Sequence, residues 1–415
     1  MPESPSTAPT AWGAWNPATR DDPYPLFEEM RSKCPVHQVQ LADGHEAWLV
    51  IGHDAAKQAL KDERFSKDML AAFEADPDVA DAGLPGPDFA RHMLAVDGPD
   101  HSRLRHLVSR AFAPSRIAAL EPSIERIAQS LLDELESADP GAAVDLIDGY
   151  AHRLPFRVIS ELIGIPVEDR EPLHRWFRIL FQPWSGSPPA QAVEASNSIV
   201  SYLEQLVADH RTNPADDLVG VLVSAGDEYE QLTQQELLSG LFQLIVAGQD
   251  TTTSLIGNGV VALLDHPDQL RLLRDEPERM PAAIEELIRF SAPVPHATFR
   301  VTTEPVSLDG VEIPANKQVL VCLGGANHDP GVRENPHLLD ITRPPKTHLG
   351  FGFGPHFCLG VHLARLEGRV AFTALFERFP DLCLAVPRGE LRWTHGDGLV
   401  LRGLADLPVH LTPSK

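Results

Sequence analysis

The sequence predicts a mainly α-helical protein in which a large helical lobe is joined to a smaller lobe carrying β-sheet. Three observations lead there. Apolar residues recur at helical spacing through most of residues 101–290. Residues 298–322 switch to alternation with turn signals, as in "VSLDGVEIPANKQVLVCL". A further helical run follows Cys358 to about Phe379, and the tail "LRWTHGDGLVLRGLADLPVHL" returns to strand and turn. The chain has 415 residues, 43% of them hydrophobic, enough for a sizeable core.

Taken in order, residues 1–20 are rich in Pro, Ser, Thr and Ala and are expected to be flexible, with 21–415 forming a single domain. "EAWLVIGH" (46–53) reads as a strand running into a turn. Residues 68–100 collect Pro, Gly and Asp and read as a long loop with short helical pieces. Leu131, Leu132 and Leu135 lie in one helix, and Val158, Ile159, Leu162 and Ile163 in another. "FQPWSGSPPA" (181–190) breaks the pattern as a loop.

The formal net charge of −24 argues against wide contact with a nucleic-acid backbone and against docking on an anionic membrane. No apolar run approaches the ~18 residues of a spanning helix, and the N-terminus lacks the basic and apolar regions of a signal peptide. A cytoplasmic location is expected. Cys34, Cys322, Cys358 and Cys383 show neither zinc-site spacing nor a disulfide framework.

Two stretches carry chemistry. In "FGFGPHFCLG" (351–360), Gly352 and Gly354 permit sharp turns ahead of Cys358. Behind it, Leu359, Leu363, Leu366 and Val370 mark an amphipathic helix. A sulfur at a helix N-terminus is favoured as thiolate, hence as nucleophile or metal ligand. A nucleophile needs a base and an orienting group, and only His356 stands nearby. A lone thiolate suits haem iron, which takes one axial sulfur. A small buried hydrophobe at a turn is the plain structural alternative.

The second stretch lies in residues 233–265, the longest helical pattern, which spans roughly 50 Å at the helical rise. Thr233 and Glu236 form a capping box, and Pro267 stands past the far end. Leu237, Leu241, Leu244 and Ile245 give an apolar face. "AGQDTTT" (247–253) then places a Gly, an acid and three Thr mid-helix. This predicts a helix opened onto a polar pocket; a kink with Thr bonded back to carbonyls is the alternative.

Together these segments resemble the cytochromes P-450, haem-thiolate monooxygenases, in their soluble bacterial form. Phe351, Gly352, Gly354, His356, Cys358 and Gly360 fall on that family's cysteine loop, and "AGQDTT" on its Ala-Gly-x-Asp/Glu-Thr-Thr segment. The likeness runs from about residue 20 to the C-terminus, with the motifs in order. It implies the P-450 fold around a buried haem b, with Cys358 as axial ligand and Phe351 beside the sulfur. Thr251 would hold dioxygen and its water, Asp250 would deliver protons, and Ala247 and Gly248 would leave room. The pair Glu286 and Arg289, joined by Arg343, would serve folding and haem retention. His101, Arg105, Arg300 and His356 would bind the haem propionates. His328 in "ANHDP" departs from the family's common Arg.

The resemblance further implies a monooxygenase that takes O2 and NAD(P)H electrons through a separate ferredoxin and ferredoxin reductase. Arg103, Arg110, Arg116, Arg365 and Arg369 are the candidate docking cations. Substrate contacts are expected from residues 69–95 and 177–192, from Leu241, Ile245 and Val246, from "PVPHATF" with Val294, His296 and Phe299, and from "HGDGLVL" with Val400. Their apolar character suggests a bulky apolar small molecule. The whole-chain likeness points to polyketide- and especially macrolide-tailoring enzymes, with steroid or terpenoid hydroxylation as the alternative. A peroxygenase, a haem sensor and a cysteine hydrolase are the rival classes. The intact Asp250–Thr251 pair argues against the first two. A monomer is expected.

Overall fold

In the computed structural model, described residues are 10–11, 22–41, 44–68, 91–137, 142–181, 189–224, 232–344, 347–394 and 400–411. The expected flexible segment 1–20 lies outside them apart from Thr10–Ala11, as do 69–90, 182–188 and 395–399 of the expected substrate loops.

The helical lobe forms around the helix Gln234–Asp265. Its start is fixed locally. The Thr233 hydroxyl accepts from the Glu236 N–H at 3.2 Å, and the Glu236 carboxylate accepts from the Thr233 N–H at 2.9 Å. These bonds satisfy donors that a helix start otherwise leaves unpaired. Arg103 of the helix Gly98–Ser109 also binds Glu236, tying that helix to this end. The helices Glu121–Glu136, Arg153–Ile163, Met280–Ser291 and Val361–Arg378 pack around the long one and share one apolar core with it. The expected break at 247–253 does not occur: the helix runs unbroken through it. Thr251 Oγ1 donates to Ala247 O at 2.8 Å and Thr253 Oγ1 to Gln249 O at 3.0 Å, so the hydroxyls are absorbed by the helix itself.

The smaller lobe is a six-stranded sheet, in the order Thr10–Ala11, Val36–Gln40, Glu46–Val50, Gln318–Val321, Arg300–Thr302, Phe65–Ser66. Glu46–Val50 runs parallel to Gln318–Val321 and antiparallel to Val36–Gln40. Within the segment expected as sheet, "SLDGVE" folds as a hairpin, with Asp309 and Gly310 at φ 50° and 79°. The loop expected over 68–100 yields to helix at Gly98.

Arg289 fastens the helix Met280–Ser291 to the segment that leads towards the cysteine loop. It is 1% exposed, and its guanidinium donates to both Glu286 oxygens at 2.7 Å, to Pro336 O at 2.7 Å and to Leu338 O at 3.1 Å. Arg343 Nε reaches Glu286 Oε1 at 3.1 Å. The segment 327–343 is thereby wrapped onto the helix Met280–Ser291, just upstream of the cysteine loop.

Removing one partner of such a pair leaves a buried charge uncompensated. Glu286→Ala is expected to lose about 3–5 kcal/mol in denaturant unfolding; a loss near that of an exposed pair, below ~1 kcal/mol, would contradict this reading. A second expectation concerns pH. Burial works to lower the His210 pKa, but bonds to Asp217 Oδ2 (2.9 Å) and Leu206 O (2.8 Å) raise it overall. Its stabilisation is therefore full below the unfolded imidazole value, about 6.5, and is lost as pH rises through the higher folded value. Thermal melts of His210→Phe against pH should lack that component.

Candidate active site

The loop ahead of the helix Val361–Arg378 is shaped by two left-handed glycines, Gly352 (φ 74°) and Gly354 (φ 77°). A Cβ on Gly354 would stand 2.7 Å from Leu60 O, so no other residue fits there. The Cys358 N–H donates to Phe351 O at 2.9 Å, closing the turn. Phe351 lies against Phe357 and His348, with the Arg365 guanidinium 5.2 Å from its centroid. Gly360 is the N-cap residue, so Cys358 stands two residues outside the helix. Burial raises the Cys358 pKa, against opposing pulls from the Gly360 N–H, Arg105 and Arg365. The helix end, expected to favour a thiolate here, pulls in that direction through the Gly360 N–H, but desolvation outweighs it. All four cysteines are free.

Close by is a concentration of buried donors. His101 (5% exposed) stacks on His356 with centroids 4.2 Å apart, and Arg300 (4% exposed) gives Nη1 to Phe65 O at 2.9 Å. Arg105 gives Nη2 to Phe357 O at 2.7 Å. The four expected residues are therefore gathered by a helix, a strand and the cysteine loop. Sequence reasoning missed Lys67 and Asp97. Buried Lys67 donates to Thr298 Oγ1 and, at 3.1 Å, to Phe299 O. Asp97 accepts from Ser66 Oγ (2.7 Å), Lys67 N (2.6 Å) and His356 Nε2 (3.1 Å). Neither belongs to a motif with a readable spacing. Burial lowers the His101 pKa to about 4 and that of Arg300 to about 10, with neighbouring positive groups adding to the effect on His101. His101 Nε2 and Arg300 Nε have no hydrogen-bond partner.

On the long helix, Gln243, Val246, Ala247, Asp250 and Thr251 are only partly buried, whereas the residues between them, Gly248 apart, are sealed. Their spacing of i, i+3, i+4, i+7, i+8 makes one open stripe. Leu241 and Ile245 are 0% exposed within the helical core, which corrects their assignment to the pocket. Gly248 is corrected too: a Cβ there would meet Ile159 at 3.2 Å, so the glycine makes room for a neighbouring helix. Burial raises the Asp250 pKa to about 6. His152, also missed from sequence, places Nε2 4.0 Å from Asp250 Oδ1. Behind the stripe, Glu367 is fully buried beside Thr252, and burial holds its pKa well above the carboxylate range.

Val294, Phe299 and Val400 are half-buried, as pocket residues would be. His296 is not among them: it is buried, bridges to Cys322 in the sheet and meets Phe27 edge-on at 5.6 Å. The expected docking cations are largely neutralised. Arg103 binds Glu236, Arg116 binds Asp216 (2.9 Å), Arg365 binds Glu285 (2.7 Å) and Arg369 binds Glu121 (2.6 Å). That surface is a mosaic of ion pairs in place of a bare cationic patch.

A helical lobe and a small sheet closing on a lone thiol, a set of buried cations and an acid–alcohol pair define a haem-thiolate protein class. The cytochrome P-450 family model matches residues 167–384. Cytochrome P-450 107B1 of Saccharopolyspora erythraea is 42% identical over 400 residues, covering 95% of this chain and 96% of its own. The cytochrome P-450 monooxygenase PikC of Streptomyces venezuelae is 43% identical over 389 residues, covering 94% and 91%. The solved structure of the bacillaene polyketide synthase cytochrome P-450 PksS of Bacillus subtilis superposes with a TM-score of 0.86 at 38% identity, covering 95% of this chain and 98% of that one. This chain belongs to the cytochrome P-450 family. It is a monooxygenase of that family, with haem b as cofactor, O2 as co-substrate and NAD(P)H electrons arriving through partner proteins. Among the described residues no helix is long and apolar enough to cross a membrane.

The residues present suit haem. Its two propionates need buried donors, and His101 Nε2 and Arg300 Nε are unpartnered donors in a cluster that holds one carboxylate. Charge-assisted bonds of this kind contribute about 1.5–3 kcal/mol each. Arg300→Leu and His101→Phe are therefore expected to release haem roughly 10–100-fold faster to an acceptor globin; wild-type release rates in both would refute the assignment.

Proposed function

We propose that this chain oxygenates a bulky, largely apolar polyketide, a macrolactone being the favoured class, with Cys358 as axial ligand and Asp250–Thr251 as its acid–alcohol pair. One observation carries the site assignment. Between Leu241 and Leu263 the long helix is sealed except at Gln243 and Gly248 and at Val246, Ala247, Asp250 and Thr251. The substrate class is supported by the likeness to PksS, the cytochrome P-450 of the bacillaene polyketide synthase, and by the apolar, half-buried Val246, Val294, Phe299 and Val400. Electrons would come from a ferredoxin and its reductase, to a monomer acting in the cytoplasm.

Haem bound here supplies dioxygen activation, with thiolate donation favouring O–O cleavage. The chain's residues do the rest. Phe351 and Gly352 hold the cysteine loop, and His101, Arg105, Arg300 and His356 hold the propionates. Asp97 fixes the His356 ring through Nε2, and with it the tautomer presented on the other side. Asp250 titrates near neutral pH, so its carboxyl can take and give a proton under working conditions. The Thr251 hydroxyl, now given to Ala247 O, turns towards the pocket by one rotamer step and becomes the last donor. Val246 and Ala247 keep that surface apolar and exclude water.

The direct test is spectral-shift titration with macrolactones, steroids and terpenoids, followed by turnover with ferredoxin and reductase. Tight binding of a steroid alone would overturn the polyketide reading. Thr251→Ala is expected to bind substrate normally, yet to divert electrons into peroxide and cut product per NAD(P)H by about 10-fold or more. Unchanged coupling would remove Thr251 from the role.

A further inference from the structure

We infer that His152 is a positioning residue for Asp250, and that it forms with His174 an imidazole pair feeding protons from the surface to the Asp250 carboxylate. The inference rests on the reading of Asp250 given above.

His152 stands where a π-turn, Ile147–Ala151, passes into the helix Arg153–Ile163. Such turns displace one residue out of the regular helical register. Here the displaced ring sits between two helices and uses its two nitrogens differently. Nδ1 lies 2.7 Å from His174 Nε2, on the helix Val167–Leu180. Nε2 faces the long helix, 4.0 Å from Asp250 Oδ1, and the Gln249 amide nitrogen stands 2.9 Å from Nε2 and 3.1 Å from Nδ1. A purely structural histidine needs only one such anchor, and this one bridges two polar groups on separate helices.

The surroundings favour transfer over storage. His174 is buried, with Phe156 4.6 Å from its ring. Burial, with the partner imidazole and Arg178 adding, lowers the His152 pKa to about 3; burial, Arg178, Arg153 and Arg157 lower that of His174 to about 4, against an opposing pull from Asp148 in both cases. Both rings are neutral at working pH, and a neutral imidazole accepts a proton at one nitrogen while giving one from the other. All the charges facing the pair are thus accounted for: Asp148 from the π-turn, Arg153 and Arg157 from the next helix, Arg178 from the third, and Asp250 from the long helix. Glu134 neutralises Arg153 and Arg157. Arg178 and Asp148, whose charges act on both rings, form an ion pair 2.7 Å long that is 51% and 63% exposed.

Transfer begins with the Gln249 amide turned so that its oxygen, in place of its N–H, faces the ring and His152 carries its proton on Nε2. The Nε2 proton of His152 passes to Asp250 Oδ1, the Nε2 proton of His174 moves to His152 Nδ1, and a solvent proton replaces it on His174. The 4.0 Å gap is spanned by rotation of the carboxylate or by one water. Tautomer exchange then resets both rings.

The test uses the haem-loaded protein with His152→Gln, His152→Phe and His174→Phe, beside Asp250→Asn. The Gln variant keeps a hydrogen bond but cannot shuttle. All four should keep the red-shifted Soret band of the reduced carbon-monoxide complex, which shows that fold and thiolate are intact. Without substrate, the infrared band of the protonated Asp250 carboxyl, assigned by its loss in Asp250→Asn, should titrate near 6 in the parent and at a higher pH in His152→Phe, which lacks the donor facing it. In turnover, the two His152 variants should lose product formation by about 10-fold, with a larger solvent isotope effect and more peroxide. A parental infrared midpoint and isotope effect in all three histidine variants, with Asp250→Asn impaired, overturns the relay and leaves Asp250 in place. An unimpaired Asp250→Asn overturns the reading of Asp250 and the relay together.

Discussion

Arg289 is the constraint on which the rest of the structure depends. A guanidinium taken wholly out of water is tolerable only when its donors are matched, and here the Glu286 carboxylate and carbonyls from the segment 327–343 supply the acceptors. Carbonyls can be recruited only where the backbone passes, so the segment has little freedom of path. It leads into the cysteine loop, where Cys358 is held by one backbone bond to Phe351. The position of a single sulfur is set by an ion pair that takes no part in chemistry.

The two sides of the site are built on different principles. The cysteine loop is specified by backbone: two left-handed glycines, a closing hydrogen bond and a helix that begins two residues later. The long helix is specified by what its neighbours leave uncovered. Its residues are regular and its hydroxyls satisfied, and its open stripe exists because packing helices cover every other side. Regular backbone gives the acid–alcohol pair a fixed spacing, and the uncovered face gives it access.

This contrast explains what was legible in the sequence. The lobes, the capping box and the sheet over residues 298–322 follow from spacing and local chemistry, whereas the Glu286–Arg289–Arg343 cluster was implied by the family resemblance; each is found where it was expected. The pocket is not a local property. Leu241 and Ile245 share the apolar character of Val246, yet they are sealed in the core while Val246 lies at its edge and stays partly exposed. His296 looks like a pocket residue in "PVPHATF", but strand alternation turns it into the sheet. The docking arginines show the same limit: charge is visible in sequence, whereas its partners Glu236, Asp216, Glu285 and Glu121 come from distant segments. Asp97, Lys67 and His152 were missed for that reason as well, since each acquires meaning only from groups that folding brings beside it.

The gathering of His101, Arg105, Arg300, His356 and Lys67 around the lone Asp97 carboxylate has a consequence for how the protein comes to exist in a cell. Burial presses His101, His356 and Lys67 towards their neutral forms and leaves the Arg105 and Arg300 guanidinium charges under-compensated, which opposes closure of the two lobes until a dianion enters. Haem is then a folding ligand, adding stability in proportion to the logarithm of its free concentration over its dissociation constant. Chains that fail to capture it are exposed to proteolysis for longer. The steady-state amount of this enzyme therefore follows the supply of haem as well as the rate of its own synthesis.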